Sequence, residues 1–228
     1  MELFGLLHFS TLATITFLGG LLVTIQRKGH QWPLLLLAFL NLVTYTYNQA
    51  VYNTLEIKIP LDNALPFHLC DIAAFIAGIA LMTRHPLCCE LTYCWGLAGT
   101  LQGLITPNLS AEFPEPLFFS FFLHHGTIVV TALFLPLALG WRPRAGTWPR
   151  VLVWNQVYFF FALSLNYFFE TNFGFLQQKP HVPSLLDHLG PWPYYLIWLQ
   201  VIAATLMGLV LLPFSGSINV WRFGGSKV

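Results

Sequence analysis

Charge is what this sequence has least of: Lys, Arg, Asp and Glu together make up 8% of its 228 residues, against about 25% in a soluble domain. So small a charged complement cannot cover a water-facing surface, which excludes an ordinary soluble domain. The net charge is only +1, and no segment gathers the basic stripe that nucleic acid requires, so nucleic acid is excluded as a partner. The four cysteines, Cys70, Cys88, Cys89 and Cys94, lack the spacings of a disulfide or zinc framework. No basic region precedes the first apolar block, because the chain begins Met1-Glu2; that block is expected to be a retained helix rather than a cleaved leader. No internal repeat or low-complexity tract interrupts the pattern.

What is abundant is apolar surface, with 56% hydrophobic and 16% aromatic residues. A spanning helix needs about 20 mostly apolar residues. Seven blocks approach this: 6–26, 31–52, 66–83, 87–105, 117–139, 149–170 and 192–213. Breakers separate them, among them Arg27-Lys28-Gly29, Pro60 with Pro66, Arg84-His85-Pro86 and the run from Trp141 to Pro149. The expectation is an all-α polytopic membrane protein, a single transmembrane domain over residues 1–228 built as a bundle of seven transmembrane helices.

All but two of the ten basic residues fall on one side of this scheme: Arg27, Lys28, Arg84, Arg142, Arg144, Arg150, Arg222 and Lys227, against Lys58 and Lys179. Short loops rich in Lys and Arg stay in the cytoplasm. The N-terminus is therefore expected outside and the C-terminus in the cytoplasm. Trp32, Trp141, Trp148 and Trp221 then fall at the inner edge, where an aromatic belt is expected. Acidic residues such as Glu2, Glu56, Asp62, Glu112, Glu115 and Asp187 fall in the outer segments.

Ionisable groups inside a membrane are costly and mark interior or wet cavities. The third block starts from outside with His68, Cys70 and Asp71, and the fifth carries His124 and His125 about 10–12 Å below its outer end. In the second block Asn41, Tyr45, Asn48 and Tyr52 recur at helical spacing, making one polar face. The fourth adds Gln102 and Thr106, the sixth Asn166 and Glu170. These depths predict a polar cavity in the outer half of the bundle. The inner half holds fewer such groups, chiefly Glu90, Asn155 and Gln156.

His68 and Asp71 are three residues apart, and a carboxylate beside an imidazole fixes its tautomer and raises its basicity. His125 is the candidate second acid or base. His124 belongs instead to a stripe with Ser120, Thr127 and Thr131 that suits helix–helix hydrogen bonding. Cys70 is either a nucleophile served by a base from another helix or an inert small apolar residue. His68, Asp71 and His125 also offer three ligands to a catalytic metal, although no HExxH or HxxxH pair occurs. Gly96, Gly99 and Gly103 read as a close-packing face.

A set of short strings now becomes informative: Leu65-Pro66-Phe67-His68-Leu69-Cys70-Asp71, Trp95-Gly96-Leu97-Ala98-Gly99 with Gln102 and Thr106-Pro107, Phe121-Phe122-Leu123-His124-His125-Gly126, Asn166-Tyr167 and Leu189-Gly190-Pro191-Trp192-Pro193. Together, over about residues 30–213, they resemble the YwaF-like family of bacterial integral membrane proteins. That family is distantly similar to a eukaryotic transmembrane acyltransferase family that remodels ether phospholipids through a cysteine acyl intermediate. In the eukaryotic pattern, Pro-Cys-His begins the equivalent helix and one histidine lies on a later one. Pro66 and His68 fall on its proline and histidine, and His125 on the later histidine. Phe67 stands at the cysteine position, and phenylalanine cannot form a thioester.

The resemblance implies a lipid-handling protein of a bacterial cytoplasmic membrane. The expected activity is acyl transfer or hydrolysis on membrane lipids, with His68, Asp71 and His125 catalytic. Asn48, Gln102, Asn166, Tyr45 and Cys70 are the expected substrate-binding residues, and no motif calls for a cofactor. A metal-dependent lipid hydrolase and a non-enzymatic transporter or receptor for a small ligand are the alternatives.

Overall fold

The structure is a computed structural model that describes residues 3–109, 111–180 and 184–215, with only the backbone of Leu185. Its elements are α1 (Leu6–Arg27), α2 (Trp32–Thr54), α3 (Leu61–Ala64), α4 (Leu69–Thr83), α5 (Pro86–Trp95), α6 (Leu101–Ile105), α7 (Pro116–Leu139), α8 (Thr147–Phe169) and α9 (Tyr194–Leu211). Short 3-10 turns cover Phe173–Phe175, Leu185–His188 and Leu212–Phe214. Proline sits in the first turn of α2, α5 and α7, where its missing N–H goes unused in any case. Residues in the left-handed conformation close α4 at Arg84 and α7 at Gly140. Arg222, Lys227, Trp221 and Glu2, used above for orientation, lie outside the described residues.

Six stretches among the described residues are long and apolar enough to cross a membrane: Leu6–Arg27, Trp32–Thr54, Leu61–Thr83, Pro116–Leu139, Thr147–Phe169 and Tyr194–Phe214. The expected fourth span differs. Helical structure runs through 86–105, but Gly96–Thr100 is a π turn that divides α5 from α6. A π turn inserts an extra residue into the helical repeat, so Gln102 and Gly103 are rotated from their straight-helix positions. The third expected span also begins late, because Pro66 and Phe67 are not helical and His68 is the extended cap residue before α4.

The centre of the bundle is built from α2, α4, α5 and α7, with α1 against α7. α4 enables close approach because Ala73, Ala74, Ala77 and Ala80 are all fully buried; small side chains let helix backbones approach where lipid supplies no hydrophobic driving force. α8 and α9 pack more sparsely at the side, with α9 against the π turn. Their outward faces expose Phe160, Tyr167, Phe168, Ile197 and Trp198, as lipid contact requires. Trp32 and Trp148 are exposed as a belt would have them, whereas Trp141 is buried against Tyr93 and Phe214. Trp141 is a core residue of the α7–α8 corner.

That corner is fixed by the fully buried carboxylate of Glu90. It accepts from Arg144 Nε at 2.8 Å and Nη2 at 3.0 Å, from Arg150 Nη1 at 2.8 Å to both oxygens, and from the Thr147 hydroxyl at 2.8 Å. The hydrogen bond to Glu90 pushes the Arg144 guanidinium pKa above its ordinary value. A buried charge is tolerated only when paired and hydrogen-bonded in this way.

Candidate functional site

A cavity of about 480 Å³ lies inside the bundle. His68, Asp71 and His125 line it, as do Tyr45, Asn48, Cys70 and Gln102. The segment between α8 and α9 covers part of it, through Phe175, Leu176, Leu186 and Leu189. On another wall α9 contributes an almost wholly apolar face. One space is therefore lined by both polar and apolar walls.

α7 positions His125. Its Nδ1 lies 2.9 Å from the Phe121 carbonyl one turn earlier, and the Phe121 ring stacks on the imidazole at 4.1 Å. A carbonyl can only accept, so Nδ1 carries the proton and the neutral ring keeps the lone pair of Nε2. Gly103 makes room for this ring: a Cβ there would lie 2.8 Å from His125 Cδ2 and 3.1 Å from Nε2. The glycine on α6 is thus a seat for His125.

His68 is positioned by the loop after α8. The Gly174 N–H points at its Nδ1 from 3.4 Å, and the rings of Phe173 and Phe175 lie 5.5 and 5.8 Å away. That contact makes Nδ1 the acceptor, so the neutral ring bears its proton on Nε2. Gly174 has φ +66°, a conformation that costs other residues energy. The two imidazoles therefore differ: His68 offers an Nε2–H, His125 an Nε2 lone pair.

Asp71 does not orient His68. The shared helical face expected from their spacing is lost, because His68 precedes α4 and its backbone is extended. Asp71 instead lies 3.3 Å from His124 Nε2, a close polar contact outside hydrogen-bond alignment. His124 Nδ1 is 2.9 Å from the Thr44 hydroxyl on α2. His124 thus ties α2, α4 and α7 together at the cavity wall, and no spacing in the sequence pointed to its partners.

The remaining candidates separate into two groups. Asn48 accepts a short hydrogen bond from the Ser120 hydroxyl, and Tyr45 donates to the Ala64 carbonyl at 2.6 Å; both still line the cavity. Asn166 stands apart from it. Its amide donates to Phe173 O at 3.0 Å, and its Oδ1 accepts from Phe173 N at 2.7 Å and from the Thr171 hydroxyl at 3.0 Å. It fastens the loop that holds His68, and borders a separate groove of about 530 Å³ with Asp62 and Glu170. Asn41 is likewise occupied, donating to Leu37 O and Thr131 Oγ1, both at 2.8 Å.

Phe67 packs edge-on to Phe161 and Phe173, each 5.6 Å away, in an aromatic cluster. Cys70 faces the cavity, whereas Cys89 is fully buried. Among the described residues no three His, Cys, Asp or Glu side chains come close enough together to hold a metal ion. His68, Asp71 and His125 share a cavity without converging on one point in it.

Fold and cavity define a multi-pass α-helical membrane protein with a mixed polar and apolar interior chamber. The chain belongs to the TMEM164 family, whose model matches residues 3–211. No curated protein and no solved structure matches it.

Proposed function

We propose that this protein carries out acyl transfer or hydrolysis on membrane lipids, with His68, Asp71 and His125 as its catalytic set. The observation that carries the reading is the pair of imidazoles of opposite tautomer lining a cavity with both polar and apolar walls. In the proposed reaction a hydroxyl, from water or a lipid alcohol, loses its proton to His125 Nε2 as its oxygen attacks an ester carbonyl. His68 Nε2–H and the Gln102 amide donate hydrogen bonds to the oxyanion. The tetrahedral intermediate then expels the original alkoxide, which takes the proton from the His125 imidazolium, restoring the neutral ring, and the acyl group leaves on the new oxygen. Asp71 holds His124 and adds negative charge beside the chamber, favouring an imidazolium formed there. Asn48 and Tyr45 contact the polar part of the substrate.

The proposal includes seven spans, counting 86–105 as the fourth, with the N-terminus outside and the C-terminus inside, which turns the polar chamber toward the outer leaflet. A YwaF-like, bacterial protein of the cytoplasmic membrane is the setting supported by the motif set. Lipid profiling of cells expressing wild type, His68→Ala and His125→Ala tests the activity. Wild type is expected to shift acyl composition relative to empty vector, and both variants to abolish the shift. Identical profiles for wild type and empty vector across lipid classes would overturn the proposal.

A further inference from the structure

Short turns bring most of the basic residues to one end of the bundle. α2 and α4 pack together and are joined through α3, so the start of α2 and the end of α4 lie at the same end. Arg27 and Lys28 precede the one, and Arg84 follows the other. The contact of Glu90 on α5 with Arg144 places the α7–α8 loop there too. Among the described residues Glu90 is the one acidic residue at that end, because every other Asp and Glu stands at or beyond the opposite helix ends.

The α7–α8 corner sets three guanidiniums against this single carboxylate. Arg144 and Arg150 share Glu90, yet their side chains stay 38% and 33% exposed while its own is fully covered. Arg144 Nη1 and Arg150 Nε take no part in the bonds to Glu90, so each side chain keeps N–H donors for a second acceptor. Arg142 is exposed, its guanidinium 5.7 Å from the centre of the Phe214 ring, and among the described residues no carboxylate pairs with it. Guanidinium forks match the oxygens of a phosphate. The surroundings favour a lipid over a free anion. The loop joins Pro116–Leu139 to Thr147–Phe169, two stretches long and apolar enough to span, so its arginines sit at headgroup depth. Trp148 is exposed beside them, with its indole N–H donated to the Ala204 carbonyl at 3.1 Å, and Leu212, two residues before Phe214, is 59% exposed. Apolar surface adjoining a cationic cluster accommodates acyl chains while the cluster holds their headgroup. None of these side chains lines the histidine cavity.

We propose that the α7–α8 corner is a binding site for one acidic phospholipid, whose phosphate is held by Arg142, Arg144 and Arg150 and whose chains lie on the apolar surface around Trp148 and Leu212. The site goes beyond the proposed catalysis, and its lipid is a bound ligand of the fold rather than a substrate. In the proposed orientation it faces the cytoplasmic leaflet, where a negative surface potential attracts basic segments.

The test is native mass spectrometry of the purified full chain in detergent, incubated with phosphatidylglycerol or with phosphatidylcholine. Both lipids carry a phosphate, but only the first has a net charge. Wild type is expected to retain phosphatidylglycerol in preference, and to retain less of it as salt is raised. Arg142→Gln should cut that retention about fivefold, the weight of one arginine near an anionic surface. Lys28→Gln, an equal loss of charge at the α1–α2 turn, should leave it unchanged. Excess inorganic phosphate, which has no chains, should not displace the lipid. The salt dependence needs no variant, and so decides the matter even if Arg142→Gln lowers the unfolding temperature. His68→Ala and His125→Ala should retain phosphatidylglycerol as wild type does, so failure of the catalytic reading leaves this site standing. Equal retention of the two lipids, retention indifferent to salt, equal losses from Arg142→Gln and Lys28→Gln, or displacement by inorganic phosphate overturns the lipid site.

Discussion

At the scale of single residues, glycine decides where both cavity imidazoles sit. Gly103→Ala would place a Cβ against the ring of His125, and overpacking of this kind costs about 1–3 kcal/mol. A lower unfolding midpoint in detergent, together with loss of the lipid-profile shift, is the expected result. An unchanged midpoint would mean that the ring has room to move. Gly174→Ala acts on His68 instead, combining positive φ with a Cβ 3.0 Å from the Tyr158 hydroxyl. Strain of about 1–2 kcal/mol should displace the N–H that contacts His68. Substitution at Gly29, whose Cβ would meet nothing, provides a backbone control away from the cavity.

Among elements, the loop between α7 and α8 depends on one carboxylate. Removing one member of a buried ion pair costs about 3–5 kcal/mol because the partner charge loses its counter-charge. Here Arg144 and Arg150 are partly exposed while Glu90 is not, so Glu90→Gln should fall near the lower end. It should loosen the 140–146 loop to added protease before it alters the cavity. Cavity and corner lie on different parts of the α5–π–α6 run, and equal sensitivity of lipid activity and loop protection to Glu90→Gln would argue against their independence. The π turn explains how one helical run serves both: α5 carries Glu90 to the corner, and α6 presents Gly103 to His125.

For the whole molecule, the proposed orientation gives the cavity access to the outer leaflet, and it can be read directly. Lys58→Cys should react with an impermeant maleimide in intact cells above the signal of the native cysteines, while Lys28→Cys should react only after permeabilisation. The reverse pattern would place the same chamber at the cytoplasmic leaflet and change the lipid pool it meets.

The amino-acid sequence by itself determined that the protein lives in a membrane and roughly where its long helices run. Apolar blocks expected at 6–26, 31–52 and 117–139 correspond to helices Leu6–Arg27, Trp32–Thr54 and Pro116–Leu139, because burial in lipid and interruption by Pro, Gly and Arg are local properties of the chain. Depth along a helix is local as well, so His68, Asp71, Gln102 and His125 were legible as cavity candidates. Only the tertiary structure decided which atoms meet. The break at Pro66 and the π turn changed which way side chains point. The pairing of Asp71 with His124 and the closure of three partners on Glu90 join segments far apart in sequence, and no periodicity within one helix encodes a contact made between several; Asn166 is diverted to the loop that follows its own helix.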